Sequence, residues 1–512
     1  MHATSVPAPV SARHTGVLLL SILIVALCGI VYELIIAAVS SYLLGNSVFQ
    51  FSLTIGGFMF AMGLGSLVSK YFDDDYIRNF IIIEIAVALT GGLCSTLLFV
   101  MFPYARPLYE VTMYGLILVI GALVGMEIPI LTAFLAKRTD LKESIANVLS
   151  LDYVGALIGS VAFPLILLPS LGLLQASFVI GLLNITIAIV NIYVFRAQLR
   201  HARLLAGAAV FTLLVLIGFV LAGNQITRFA EKNLYFDQVV FTKQTPYQKL
   251  VLTRSVLNPD ERLYIDGHIQ FSSRDEYRYH EFLVHPVMSP PGPRANVLIL
   301  GGGDGLAARE VLKYPEVQRV DLVDIDPQML SLASDLATIR RLNGDSMHDE
   351  RVNAIAQDAF TFINQPGIAY DRVIIDMPDP HNEAINKLYS REFYTMIRRR
   401  MSAQGVLVTQ SSSPFYTRNV YWSIESTLHD VFADTLSYHT ALPSFGIWGF
   451  HLAGDRDDLG GPFEFSVPTR AITTASMAAA SVFTTDLAQV DAPVNSIMEP
   501  VLYQIYIQDL RK

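Results

Sequence analysis

The feature that most constrains this fold is a series of long apolar runs confined to the first 223 residues. Each run has roughly 20 residues or more, the length that an α-helix needs to cross a bilayer. The pattern predicts an all-α transmembrane bundle of about seven helices, with the first run kept as a span because it is too long for a signal-peptide core. The runs occupy residues 17–43, 48–69, 79–102, 111–136, 145–169, 172–195 and 204–223.

The composition turns polar within a few residues of Gly223-Asn224, which predicts a domain boundary there. Three brief β-prone runs follow, and Asp266-Gly267 is typical of a hairpin turn. From residue 296 onward, apolar strands alternate with helical stretches, which predicts a doubly wound parallel sheet of Rossmann-like, methyltransferase type. We therefore expect three domains: a multi-pass domain at 1–223, a small β-sheet domain at 224–290 and a Rossmann-like domain at 291–512.

Carboxylates stand at the ends of the predicted parallel strands. Residues 297–305 form an apolar strand that runs into a glycine loop carrying Asp304, and Asp324 ends the next strand about 20 residues on. Glycines in such a turn let the backbone approach a nucleotide-like ligand, and an acid in the second position accepts hydrogen bonds from ribose hydroxyls. Asp358 and the pair Asp376 and Asp379 follow later strands. The pattern predicts a nucleoside site that also attracts a cationic group.

Six ordered motifs over residues 247–390 resemble the polyamine aminopropyltransferase (spermidine synthase) family, in a membrane-bound form. They are Tyr247-Gln248, Leu263-Tyr264-Ile265-Asp266-Gly267, Asp275-Glu276-Tyr277-Arg278-Tyr279-His280-Glu281, Gly301-Gly302-Gly303-Asp304-Gly305, Asp376-Met377-Pro378-Asp379-Pro380 and Leu388-Tyr389-Ser390. The resemblance implies aminopropyl transfer from decarboxylated S-adenosylmethionine, a co-substrate rather than a bound cofactor, to putrescine or a related polyamine. Spermidine and methylthioadenosine are the implied products.

The resemblance also implies a role for individual residues. Asp376 is the proton acceptor. The nucleoside is implied to contact Gln248, Gly301, Gly303, Asp324, Asp358 and Ala359, and the substrate amines to contact His280, Asp304, Asp376 and Asp379. Ala359 replaces the usual glycine of the family, Met377-Pro378 replaces a serine or threonine, and Asn382-Glu383-Ala384 replaces Gly-Pro-Ala. These departures leave the identity of the polyamine open.

Single residues of the predicted site have simpler structural interpretations, and two other functions are compatible with parts of the sequence. A single strand-end aspartate is more often a helix cap, and a single histidine such as His280 is more often a packing residue. A methyltransferase that uses intact S-adenosylmethionine has the same fold, although Asp304 would repel the carboxylate of that donor. A polyamine transporter with a sensing domain is a rival from another class, although sensing does not require a base.

The net charge and the positions of the cysteines limit the classes of partner that we expect. The net charge of −9 argues against a nucleic-acid partner and suits cationic substrates. Both cysteines, Cys28 and Cys94, fall in apolar runs, so they predict no disulfide framework and no metal site. The expected partners are small polyamine and nucleoside substrates and the lipid bilayer, and a homo-oligomer through the β-domain is compatible with the family.

Four acids interrupt the apolar runs: Glu33, Glu84, Glu127 and Asp152. They indicate either hydrogen bonding between helices or a cation pathway for polyamines. Positive charge lies mainly in the loops on the N-terminal side of the bundle, with Arg106 alone in the opposite loops. The positive-inside rule then gives a cell-membrane protein with its N-terminus in the cytoplasm and, after seven spans, its catalytic domain outside. The donor is made in the cytoplasm, so the side that carries the catalytic domain stays open.

Overall fold

The computed structural model describes residues 12–44, 47–72, 75–137 and 140–511. The chain divides into two compact units, Met1–Val239 and Val240–Lys512. The first unit is helical and the second combines two β-sheets with helices. The predicted three-domain division stays a prediction, since the small β-domain and the Rossmann-like domain belong to one compact unit.

The first unit consists of long helices. A five-residue π-helical turn, Phe163–Leu167, joins the fifth helix to the sixth. The helices are α1 (Ala12–Leu44), α2 (Ser47–Ser69), α3 (Tyr76–Tyr104), α4 (Arg106–Ala136), α5 (Leu141–Ala162), α6 (Leu168–Phe195) and α7 (Ala202–Leu234).

Within the described residues, six helices are long and apolar enough to cross a membrane by length and composition. The prediction of about seven differs because α5, the π turn and α6 run as one helical element from Leu141 to Phe195. Inside it, Gly172 has φ 70° and ψ 175°, which breaks the helix. The break falls at residue 172, where the sixth apolar run was predicted to begin.

Small residues allow the helices of the bundle to pack closely. A Cβ atom on Gly65 of α2 would lie 1.9 Å from the carbonyl oxygen of Ala122 in α4. A Cβ on Gly155 of α5 would lie 2.1 Å from the carbonyl oxygen of Leu23 in α1. Larger side chains at these two positions would push the helix backbones apart. Gly63, in contrast, meets nothing within 4 Å.

A four-stranded sheet, in the order β1-β2-β3-β4, precedes the larger sheet. Its hairpin between β3 and β4 turns at Asp266 and Gly267, whose φ values of 50° and 85° fit a type I′ turn, as predicted. The strands are β1 (Gln238–Gln244), β2 (Lys249–Arg254), β3 (Glu261–Ile265) and β4 (His268–Ser272).

The larger sheet has seven strands in the order β10-β11-β9-β8-β5-β6-β7. The five strands from β5 to β9 are parallel to their neighbours, which confirms the predicted parallel sheet, and β11 is antiparallel to β9 and β10. The final hairpin was not predicted. The strands are β5 (Asn296–Gly301), β6 (Arg319–Asp324), β7 (Val352–Ala356), β8 (Tyr370–Asp376), β9 (Met401–Gln410), β10 (Asp434–Leu442) and β11 (Gly446–Gly454).

Apolar cores lie on both faces of this sheet. Alternate residues of a strand point to opposite faces, and Ile299 accordingly belongs to one buried cluster while Leu298 and Leu300 belong to another. The helices of this unit are α8 (Glu276–Met288), α9 (Leu306–Val311), α10 (Pro327–Asp335), α11 (Ala337–Leu342), α12 (Ala359–Asn364), α13 (Glu383–Asn386), α14 (Arg391–Arg399), α15 (Arg418–His429), α16 (Thr474–Ala480) and α17 (Leu502–Leu510).

Candidate active site

A cavity of about 410 Å³ lies at the carboxyl ends of β5, β6 and β8. The sequence order of the strands reverses between β5 and β8, and ligands of doubly wound sheets bind at such a reversal. Of the site residues predicted from the sequence, His280 does not line the cavity. The others do: Gln248, Gly301, Gly303, Asp304, Asp324, Asp358, Ala359, Asp376 and Asp379.

The glycine loop after β5 has no space for side chains. Gly301 has φ 83°, and a Cβ there would lie 2.1 Å from the carbonyl oxygen of Asp376. A Cβ on Gly303 would lie 2.4 Å from Oδ2 of Asp324. The loop therefore touches the ends of β8 and β6 directly. Its glycines bring three strand ends within reach of one ligand.

Asp304 is 3% exposed and faces the cavity from this loop. Its Oδ1 accepts a hydrogen bond of 2.9 Å from the backbone N–H of Leu306, at the start of α9. Burial raises the pKa of Asp304, although the nearby His280 opposes that shift. The side chain is thus fixed by the backbone while it adds negative potential to the cavity.

Asp324 is held by the backbone on both oxygens. It accepts hydrogen bonds from the N–H groups of Gly303 at 3.1 Å and Asp326 at 2.8 Å. Burial raises the pKa of Asp324 to about 6. This geometry fixes the carboxylate at the cavity wall, where hydroxyl groups of a ligand have access to its remaining lone pairs.

Gln248 reaches the cavity through a contact that the sequence analysis did not predict. Its Nε2 donates a 3.0 Å hydrogen bond to Oδ2 of Asp326, which also accepts one from the hydroxyl of Thr245 at 2.8 Å. Asp326 is fully buried and caps α10 through the N–H of Gln328. Asp326 therefore positions Gln248 and joins the small sheet to the end of β6.

Asp358 is a helix cap as well as a cavity residue. Its Oδ1 accepts hydrogen bonds from the backbone N–H and the hydroxyl of Thr361, at the start of α12. Its Oδ2 lies 3.2 Å from Nζ of Lys387. Burial alone would raise the pKa of Asp358, but these partners outweigh burial and the net shift is downward. Ala359, where the family usually has glycine, is buried with its methyl group in an apolar cluster.

Asp376 and Asp379 each present an oxygen without a partner. Oδ1 of Asp376 accepts a 2.6 Å hydrogen bond from the hydroxyl of Tyr279, and Oδ2 of Asp379 accepts one of 3.2 Å from the hydroxyl of Ser412. Among the described residues, the second oxygen of each acid has no hydrogen-bond partner. Burial raises the pKa of both acids to about 6. Two acceptors therefore remain open toward the cavity.

His280 lies behind the cavity wall rather than in it. It is 2% exposed, and its Nδ1 lies 3.0 Å from Oε2 of Glu276. Arg309 binds the same Glu276 through two hydrogen bonds of 2.9 and 2.8 Å. Burial lowers the pKa of His280, but the hydrogen bond to Glu276 outweighs burial and the net shift is upward. Its predicted direct contact with the polyamine stays a prediction.

Several cavity residues carried no role in the sequence analysis. Tyr279 stands in a quoted motif, but its hydrogen bond to Asp376 joins residues 97 apart in the chain and no local pattern indicated it. Trp448 comes from the unpredicted hairpin β10–β11 and donates a 3.2 Å hydrogen bond from Nε1 to Gln410. Asn382 caps α13 through the N–H of Ile385. The residues without a predicted role include Tyr279, His381, Lys387, Gln410, Phe445 and Trp448.

The arrangement suits small cationic substrates. No group of three or more His, Cys, Asp or Glu residues that could hold a metal ion is found in the described part of the chain. The cavity instead combines carboxylates with aromatic rings, which bind ammonium groups and flat heterocycles. Three of its acids, Asp304, Asp324 and Asp358, accept hydrogen bonds from backbone N–H groups.

Comparison with known proteins agrees with this geometry. Residues 276–458 match the family model described as the spermine/spermidine synthase domain. The polyamine aminopropyltransferase of Leptospira interrogans is 41% identical over 493 residues, covering 96% of this chain and 97% of that protein. Polyamine aminopropyltransferase 1 of Ralstonia nicotianae is 40% identical over 510 residues, covering 98% and 97%.

Among solved structures, a spermidine synthase in complex with the transition state analogue AdoDATO aligns with a TM-score of 0.45 and 24% identity. The alignment covers 48% of this chain and 85% of that structure. The relatives named above match along nearly their whole length, so the likeness extends through the helical unit as well as the cavity. The chain belongs to the polyamine aminopropyltransferase family, and it is an enzyme of that class.

Proposed function

We propose that this aminopropyltransferase moves the aminopropyl group of decarboxylated S-adenosylmethionine to putrescine, with spermidine and methylthioadenosine as products. The observation that carries the proposal is the pair of buried oxygens without partners, Oδ2 of Asp376 and Oδ1 of Asp379. Ionised carboxylates only accept hydrogen bonds, and a buried acceptor without a donor is costly. The ammonium groups of a diamine supply donors of matching charge.

Asp376 is the general base in this proposal. The attacking amine must lose a proton before its lone pair can form the new N–C bond. The C–S bond of the sulfonium then breaks, its electron pair stays on sulfur, and methylthioadenosine leaves as a neutral thioether. Tyr279 occupies Oδ1 of Asp376 and leaves Oδ2 for the proton. With a pKa raised to about 6, Asp376 is ionised at neutral pH and is a better base than an ordinary aspartate.

The nucleoside part of the donor is assigned to the ends of β5, β6 and β7. Asp324 accepts the ribose hydroxyls, and Asp304 attracts the ammonium group of the aminopropyl chain. Support for this assignment comes from the closeness of Gly303 to Asp324, which leaves the loop backbone open to the ligand. Gln248, Asp358 and Ala359 contact the adenine end of the donor in this proposal. Gly301 and Gly303 allow the loop backbone to approach the nucleoside closely.

We assign His280 to positioning rather than to direct contact with the polyamine. Its electrostatic influence reaches both Asp304 and Asp376. The bidentate pair of Arg309 and Glu276 fixes the ring of His280 from behind. A positive charge on His280 would offset part of the repulsion between Asp304 and Asp376 and so favour their ionised forms.

The lipid bilayer and a homo-oligomer are further parts of the proposal. The helices that are apolar and long enough to cross a membrane support a multi-pass protein of the cell membrane. Val256 and Leu257, at the turn between β2 and β3, are 81% and 82% exposed and offer an apolar contact for a second copy. Light scattering of the purified protein, with Leu257→Ser as the variant, tests that contact.

The proposed reaction is tested with the purified full-length protein. It is incubated with decarboxylated donor and a panel of diamines and triamines of different length, and the masses of the products are read. The expected result is aminopropylated putrescine together with methylthioadenosine. If transfer to a longer amine were preferred, that amine and not putrescine would be the acceptor. Methylated products from intact S-adenosylmethionine would overturn the proposal.

A further inference from the structure

The helical unit buries two acids beside each other. Glu84 of α3 is 0% exposed and Glu127 of α4 is 4% exposed. Their carboxyl groups lie within interaction distance of each other, although neither oxygen of Glu84 is hydrogen-bonded to a described residue. Two carboxyl groups form a hydrogen bond only when at least one of them carries a proton, because ionised carboxylates have no donor.

The pair lacks donors from the protein. Neither Oε1 nor Oε2 of Glu84, nor Oε1 of Glu127, has a hydrogen-bond partner among the described residues. Asn184 of α6, which is 0% exposed, donates from Nδ2 to the backbone carbonyl of Glu84 at 3.0 Å. Its own Oδ1 has no partner in the described part of the chain. The site is therefore rich in acceptors and poor in donors.

A buried tyrosine supports the same conclusion independently. Tyr32 of α1 is 0% exposed, and its hydroxyl has no hydrogen-bond partner among the described side chains and backbone groups. Gly91 of α3 makes space for its ring, since a Cβ there would lie 2.6 Å from Cζ of Tyr32. The Tyr32 hydroxyl lies within electrostatic reach of Glu84 and Glu127. A buried hydroxyl without a partner therefore lies close enough to feel the charge of the acid pair.

Among the described residues, none of the groups that act on the pair carries a positive charge. Helices α2 and α6 contain no Asp, Glu, Lys, Arg or His. An ionised carboxylate in an apolar interior costs several kcal/mol, and two adjacent ones also repel each other. The titratable groups that interact with the pair are themselves acids: Cys28 and Tyr32 on α1 and Asp152 on α5.

We propose that Glu84 and Glu127 form a proton-binding site inside the helical bundle, in which the two carboxyl groups share a proton at neutral pH. The proton supplies the donor that the surrounding acceptors lack. Its departure would leave two like charges in a site without a counterion, so it must be accompanied by water entry or by a rearrangement of α3 and α4. The site thereby couples protonation to the conformation of the bundle.

Infrared spectroscopy of the full-length protein in lipid nanodiscs tests this proposal. At neutral pH the wild type is expected to show the C=O stretching band of a protonated carboxyl group. The double variant Glu84→Gln/Glu127→Gln, which keeps the shape of the neutral acids, is expected to lose that band. The matched control Glu33→Gln, another buried acid of the bundle, is expected to keep it.

Carbon-13 labelling of glutamate keeps the test decisive if the double variant fails to fold. The band of the labelled Glu33→Gln protein must then shift, which assigns it to a glutamate other than Glu33. Absence of the band in the wild type, or its persistence in the double variant, would overturn the proposal. A band that forms only after sodium is removed from the buffer would also overturn it, because the resident cation would then be sodium.

Discussion

The acids of the cavity and the acids of the helical bundle differ in the hydrogen bonds that they receive from the backbone. Asp304, Asp324 and Asp358 accept hydrogen bonds from N–H groups of turns and helix starts. Both oxygens of Glu84 have no partner among the described residues. Strand ends and first helical turns offer free N–H groups, whereas a helix interior uses its own. Acids at strand ends can therefore stay charged and bind cations, and acids within helices require a proton.

The largest expected effect separates these two groups of acids. Asp376→Asn should reduce turnover by about 100- to 10,000-fold, because the general base is lost. Binding of methylthioadenosine should stay within a few-fold of wild type, since the nucleoside contacts are unchanged. Rapid-mix kinetics and calorimetry measure the two quantities. The matched control is Glu84→Gln, which should keep its turnover. An equal loss of turnover in this control would contradict the division between catalytic acids in the cavity and non-catalytic acids in the bundle.

Donor choice should respond to one acid of the cavity. Asp304→Asn should weaken binding of decarboxylated donor by about 10- to 100-fold, because a hydrogen bond to a charged group contributes about 1.5–3 kcal/mol. Methylthioadenosine, which lacks the ammonium group, should lose far less, and intact S-adenosylmethionine should gain relative affinity. Calorimetry with the three ligands decides the matter. Equal losses for all three would show that Asp304 only supports the loop.

The pH dependence of transfer should report the hydrogen bond between Tyr279 and Asp376. The base must be ionised, so kcat/KM should fall as the pH drops through about 6, the raised pKa of Asp376. The Tyr279 hydroxyl stabilises the ionised form, so Tyr279→Phe should raise that pKa and move the acidic limb of the profile to higher pH. Tyr506→Phe, also at the cavity wall, is the control. If the acidic limb of the kcat/KM profile did not move in Tyr279→Phe, the group that titrates there would be an acid other than Asp376.

The smallest effect is expected when the helical unit is removed. Residues 235–512 begin after α7 and contain both sheets and all the cavity acids. If the bundle only anchors the enzyme, this fragment should fold without detergent and transfer aminopropyl groups within a few-fold of the full-length rate. Circular dichroism and product assays measure this. A folded fragment that binds methylthioadenosine but does not turn over would give the bundle a part in catalysis.

Sequence reasoning succeeded where one local pattern determined the structure. The apolar runs of about 20 residues predicted the helices, and the apolar run before the glycines predicted β5 and the loop that carries Asp304. The role of Asp304 in binding stays a prediction. The Asp266-Gly267 turn was equally determined, because two successive residues with positive φ favour that pair.

Contacts between distant segments were not predictable in the same way. The bond of Gln248 to Asp326 spans 78 residues, and that of Tyr279 to Asp376 spans 97. Trp448 reaches the cavity on the hairpin β10–β11, a segment in which the sequence analysis predicted no strands. The two roles of Asp358 also required the structure, since a helix cap and a cavity wall leave the same sequence pattern.

The contact between Gly301 and the carbonyl of Asp376 also bears on how acceptor preference can diversify in this family. The loop that we propose to receive the donor and the strand that carries the proposed base meet through backbone atoms, which substitution of side chains leaves in place. The segment after Asp379, with His381 and Asn382 at the cavity wall, is free of that constraint. New acceptor preferences can therefore evolve there by ordinary substitutions while the geometry of transfer is inherited intact.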